Sequence, residues 1–180
     1  MKNMTAGQII AELKRINAAQ EPWGLILIGV PASGKSTFVS KVMAEFPEVH
    51  IASTDNMIDA IAAEKGITYS EAFSKHVNMK QLKKKMLLGI TENAAAQSNI
   101  INDQTNMGKK ARAEKIALMP AHHVIAIGFD VSDAELKRRL DTRAAATGKF
   151  IPPHVIANML SNYETPTKAE GFKQIWKLMQ

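Results

Sequence analysis

The chain contains no cysteine. That excludes a disulfide framework, a thiolate metal site and a cysteine nucleophile, and it fits a reducing cytoplasm. No run of eighteen apolar residues occurs, so no membrane-spanning helix is expected. The opening stretch MKNMTAGQIIAELKRINAAQ interleaves charged and apolar residues where a signal peptide would carry an unbroken apolar core. Internal repeats, low-complexity tracts and linkers are also missing, which leaves no place for a second domain. A chain of 180 residues that is 46% hydrophobic is expected to bury one core as a single domain spanning 1–180. Acidic residues are the scarcer charge, 17 against 23 Lys and Arg, for a net charge of +6. That balance favours polyanionic partners, nucleic acid among them. Lys80, Lys83, Lys84 and Lys85 form one basic cluster, which suits a track for a nucleic-acid backbone and a solvated helix face equally, and Lys137, Arg138, Arg139, Arg143 and Lys149 form another.

What is present alternates between two periodicities. Thr5 with Gln8 is a capping-box pattern that opens a helix over about 6–19, the helical part of an N-terminal segment 1–20. Gly24 to Val30 is continuously apolar, as in a strand buried on both faces. Helix is expected from Lys35 to Phe46, and short strands at Val49–Ser53 and Asn99–Asp103 flank two or three helices. A further helix covers Ala111–Met119, a strong strand HVIAIGF covers His123–Phe129, and Asp133 is expected to cap a helix that runs to about Ala146. Gly148 and Pro152-Pro153 mark a loop before a last helix over Val155–Asn162, while GFKQIWKLMQ suits strand or helix. The alternation predicts an α/β fold with a parallel sheet of about four to five strands flanked by helices.

The segment after the first apolar run reads Gly29-Val30-Pro31-Ala32-Ser33-Gly34-Lys35-Ser36. It matches the phosphate-binding pattern G-x-x-x-x-G-K-[ST] at every fixed position, between a strand and a helix, so a P-loop NTPase fold is expected. The glycines let successive backbone N–H groups point inward, and the following helix adds its positive end. Gly29, Pro31, Ala32, Ser33, Gly34, Lys35, Ser36 and Thr37 are the expected ATP contacts, with the Ser36 hydroxyl on Mg²⁺.

The use made of the triphosphate is narrowed by two further absences. A hydrolytic motor needs a water-activating glutamate after the aspartate that ends a buried strand, and here Asp103 is followed by Gln104. A guanine-reading N-K-x-D element is not found either. Transfer of the γ-phosphoryl group to a bound hydroxyl is therefore the favoured chemistry, and it needs a carboxylate base, cations and exclusion of water. Asp55, just past the second strand, is the expected base, with a plain helix N-cap as its alternative. Asp103 faces the same crevice. Asp59, one helical turn on, reads as a solvated helix residue. Arg139 and Arg143 lie four apart on one helix face and are expected to clamp phosphates from a lid over 137–153, with Gly148 as a hinge.

Four segments, GVPASGKST, INDQTN, LKRRLDTRAAATGKFIP and YETPTKAEGF, resemble the polynucleotide kinase family, P-loop enzymes that phosphorylate 5′-hydroxyl ends. The resemblance implies ATP and Mg²⁺ at Lys35 and Ser36, Asp55 as general base, Asp103 beside the acceptor, and Arg143 on the donor phosphates with Arg139 as a weaker match. It implies a nucleic-acid substrate, most simply a 5′ end. Two departures stand out. The family's N-R-D at the base is Ser53-Thr54-Asp55 here, and an arginine of the phage-type enzyme three residues on is Ile58. A hydroxymethylated pyrimidine base inside DNA and a small molecule therefore remain as alternative acceptors. No membrane partner is expected.

Overall fold

The computed structural model describes residues 1–179; Gln180, the last residue of the expected domain and tail, lies outside the described residues. Along the chain run β1 (Lys2–Met4), α1 (Ala6–Ala18), β2 (Trp23–Ile28), α2 (Lys35–Glu45), β3 (His50–Ala52) and α3 (Thr54–Lys65). A single turn α4 (Tyr69–Glu71) leads into a π-helical segment (Ala72–His76), then α5 (Met79–Ala95), β4 (Ile100–Asn102) and α6 (Lys109–Ile116). The chain continues through β5 (His123–Phe129), α7 (Asp133–Thr147), α8 (Pro153–Ser161), a 3₁₀ turn (Lys168–Glu170) and β6 (Gln174–Leu178).

The strands form one six-stranded parallel sheet in the order β1-β6-β5-β2-β4-β3. Six strands exceed the four to five expected. The extra strand is β1, whose three residues KNM carry no periodic signal and become a strand only by pairing Lys2 with Trp176 along β6. The ambiguous tail resolves to strand because β6 pairs with β5 on its other side.

Alternation within β2 divides the core. Leu25 and Leu27 face one layer with Ile9, Leu13 and Ile16 of α1 and Phe38 and Val42 of α2. Ile26 and Ile28 face the other, with Met86 and Ile90 of α5, Leu136 of α7 and Ile156 of α8. Trp23 and Trp176 lie inside the first layer. A smaller cluster around Ile58, Ala62, Ala72 and Leu82 holds α3, the π segment and α5 together as a helical insert beside the sheet.

Caps explain several boundaries. Thr5 and Gln8 form the expected capping box of α1. Ser132, not Asp133, caps α7: its Oγ accepts the Glu135 N–H, which leaves Asp133 in the first turn. α6 begins two residues earlier than the periodicity indicates because Glu164, distant in sequence, accepts the Lys109 N–H at 2.7 Å. α8 begins at Pro153, where the missing N–H costs nothing. No helix among the described residues is long and apolar enough to cross a membrane.

Candidate active site

The C-terminal ends of β2, β3 and β4 open into one crevice, and the loop from Gly29 to Lys35 closes its floor. A Cβ on Gly29 would lie 2.6 Å from Ser33 Oγ and 3.0 Å from Phe129 Cβ, so only glycine fits. Gly34 sits at φ 100 and Ala32 at φ 64, backbone that curls the loop so that its N–H groups converge. The Lys35 ammonium donates to the Gly29 and Val30 carbonyls, both at 2.9 Å. Burial pushes that ammonium down to about 8, against the pull of the Asp103 and Asp55 carboxylates. Ser36 and Thr37 are exposed at the start of α2.

Above the loop lies a cavity of roughly 430 Å³, lined by Ala32, Gly34, Ser36, Thr37, Arg139 and Arg143 among others. Its size falls in the range of small-molecule sites. Both expected lid arginines therefore reach the phosphate nest. They differ in their partners: Arg139 Nε donates to Glu135 Oε1 at 2.7 Å, whereas Arg143 Nη2 lies 3.6 Å from Asp55 Oδ2.

Asp55 occupies the first turn of α3, and the cap there is Ser53, whose Oγ accepts the Asn56 N–H. The N-cap alternative for Asp55 is thus excluded, and its carboxylate is left for the crevice. Tyr69 O–H donates to Asp55 Oδ1 at 3.0 Å. Burial, then the Asp55 charge, push the Tyr69 phenol up, so it stays a donor. Asp103 follows β4, anchored by its N–H on the Ala52 carbonyl, and burial pushes its carboxyl up while Lys35 opposes. Gln104 Nε2 donates to Thr54 Oγ1 at 2.8 Å, tying the ends of β3 and β4 together.

Lys35, Asp55, Asp103 and Arg143 are thereby brought into one electrostatic group. Tyr69 and Ser70, which sequence reasoning missed, border the crevice together with Asp59 and Lys149. Asp59, read as solvated, accepts two bonds from Lys149 Nζ at 2.6 and 2.7 Å. That ammonium also lies 4.0 Å from the centre of the Tyr69 ring. Ser70 Oγ donates to the carbonyl of Gly148, which takes φ 68 as the left-handed C-cap of α7. The loop after α7 is thus fastened to the helical insert across the crevice. Spacing within one segment could not reveal this, because the partners lie 78 and 90 residues apart.

The loop after β4 is built from behind. Thr105 carbonyl accepts the Gly29 N–H, and Asn106, at φ 48, donates through Nδ2 to the Leu27 carbonyl at 2.8 Å and Asn102 Oδ1 at 2.9 Å. Fully buried Arg112 holds the Asn106 and Met107 carbonyls and pairs with Glu170 through two bonds, at 2.7 and 3.0 Å. His122 and His123 bond Ser98 and Glu21, away from the crevice. The lysines at 80–85 are exposed. Among the described residues no cluster of three His, Cys, Asp or Glu could hold a metal ion. The hard-oxygen donors present, Ser36 hydroxyl and Asp103 carboxylate beside a phosphate nest, suit Mg²⁺, which binds through one or two protein oxygens plus phosphates and water.

A family model described as an AAA domain matches residues 25–166. Heterogeneous nuclear ribonucleoprotein U-like protein 2 of Mus musculus is 21% identical over 155 residues, which is 84% of this chain and 21% of that protein. The chain therefore spans about a fifth of the length of the curated relatives it matches. Among solved structures, the Pnkp1/Rnl/Hen1 RNA repair complex aligns with a TM-score of 0.64 at 23% identity, over 79% of this chain and 44% of that one. A fungal RNA kinase aligns at 0.56 and 17%, covering 88% and 74%. A gluconokinase from Sinorhizobium meliloti aligns at 0.53 and 18%, covering 88% and 84%. At these identities the likeness is one of fold alone.

Proposed function

The chain belongs to the AAA domain family, matched over residues 25–166, and from that premise we propose that it is an ATP-dependent kinase whose acceptor is a hydroxyl of nucleic acid, a 5′ end in the first instance. The observation that carries this reading is Arg143, which lines the phosphate cavity and also lies 3.6 Å from the Asp55 carboxylate. Arg143 thus links the cavity over the loop to the Asp55 carboxylate.

In this reading the triphosphate lies on the N–H groups of the loop and on the positive end of α2. Lys35 leaves the Gly29 and Val30 carbonyls for the β- and γ-phosphates. Asp55 takes the proton of the acceptor hydroxyl as its oxygen bonds to the γ-phosphorus, and the bond from phosphorus to the β–γ bridging oxygen breaks, releasing ADP. Arg143 turns from Asp55 to the transferring group and offsets its charge, with Arg139 behind it. Ser36, with Asp103 through a water, would hold Mg²⁺, which supplies charge neutralisation of the phosphates. The loop fastened by Lys149 keeps water from the donor.

Asp55→Ala tests the base directly. ATP binding should persist while transfer falls at least about a hundredfold; parallel loss of binding would overturn the role. Labelled ATP with three acceptors, a 5′-hydroxyl oligonucleotide, DNA containing hydroxymethyluracil and a small polyol, tests the substrate. The likeness in fold to a gluconokinase supports the last as the second reading. Its mark would be activity indifferent to salt, whereas a nucleic-acid kinase weakens as salt rises.

A further inference from the structure

Position 58, where an acceptor-phosphate contact is expected from the resemblance, is filled by Ile58, 1% exposed inside the helical insert. Recognition of the acceptor must then come from other residues around Asp55. The polar groups there are already paired: Tyr69 O–H with Asp55, Asp59 with Lys149, Thr54 with Gln104. What the insert turns outward instead is a ring. Phe73 lies parallel to Tyr69, with centroids 6.3 Å apart and planes 9° apart, and it remains 48% exposed. It sits on the π-helical segment Ala72–His76, a widened turn that is rare and commonly marks functional surface.

We propose that Phe73, backed by Tyr69, is a stacking platform for the terminal base of a nucleic-acid acceptor, which sets the 5′-hydroxyl beside Asp55. This rests on the kinase reading above. One nucleoside separates a 5′-oxygen from its base, and one ring, that of Tyr69, separates Asp55 from Phe73. A flat π face accepts any base, so the platform selects a nucleotide end over a polyol without selecting sequence.

The test compares two short 5′-hydroxyl DNA strands, one intact and one abasic at its terminal nucleotide, bound to the protein without ATP and then offered labelled ATP. The wild type should bind the intact strand about tenfold more tightly than the abasic one, the range of a single base–aromatic stack. Phe73→Ala should bind both alike with an unchanged KM for ATP, and Phe73→Leu, which keeps the apolar bulk, should lose most of the preference too. Equal binding of the two strands by the wild type, absence of binding to either, or a preference that survives both substitutions overturns the platform. The two readings fail separately: base preference without any phosphate transfer removes the kinase, and transfer indifferent to the base removes the platform.

Discussion

Lys35 illustrates how a single side chain carries a measurable consequence. Its ammonium is buried, held by two loop carbonyls and depressed to about 8. In the free protein it is partly neutral above pH 8, and a triphosphate drawn into the nest returns it to the charged form. ATP binding above pH 8 is therefore expected to take up protons. Calorimetry in buffers of differing ionisation enthalpy checks the sign, and binding with no proton exchange would contradict the burial effect. Lys115 is the second buried lysine, 3% exposed, and burial pushes it down to about 8 as well. Because the unfolded chain then holds the extra proton, stability should rise with pH from about 8 towards the ordinary lysine value. Lys115→Met should remove part of that slope in denaturant titrations at several pH values, Lys35 supplying the rest. The loop chemistry was legible in the sequence because fixed spacing of glycine, lysine and serine dictates local backbone geometry. Tyr69 was not, because nothing in its own segment points to Asp55, fourteen residues away.

At the scale of elements, the tail YETPTKAEGF gains a physical meaning. Glu164 caps α6 and Glu170 pairs with Arg112, so both glutamates brace the segment that follows β4. The tail marks the fold's scaffold, and through Arg112 it holds the Asn106 and Met107 carbonyls behind the loop. Arg112 is 0% exposed and its partner 9%. Removing one member leaves a buried charge uncompensated, so Glu170→Gln should cost about 3–5 kcal/mol, read as a lower denaturant midpoint. Replacing both members by apolar residues of similar volume should cost much less. The central strands were readable as unbroken apolar runs because both their faces are buried. β1 was unreadable for the opposite reason: three residues at the sheet's edge, exposed at two positions, have no pattern to show.

At the scale of the molecule, α7 and its following loop reach over the crevice and fasten on the insert through Lys149–Asp59, Ser70–Gly148 and Arg143–Asp55. The Lys149 side chain is 14% exposed and that of Asp59 49%, so the latch is half in water and should open readily. Lys149→Ala should raise ATP hydrolysis relative to phosphoryl transfer severalfold with little change in melting temperature; an unchanged ratio would show that the loop does not keep water out. The sheet's order has a consequence of another kind. β1 precedes every other described strand and, among the described residues, pairs with β6 alone, Lys2 lying opposite Trp176. That border of the sheet therefore closes only after every strand lying between the two in sequence has been made.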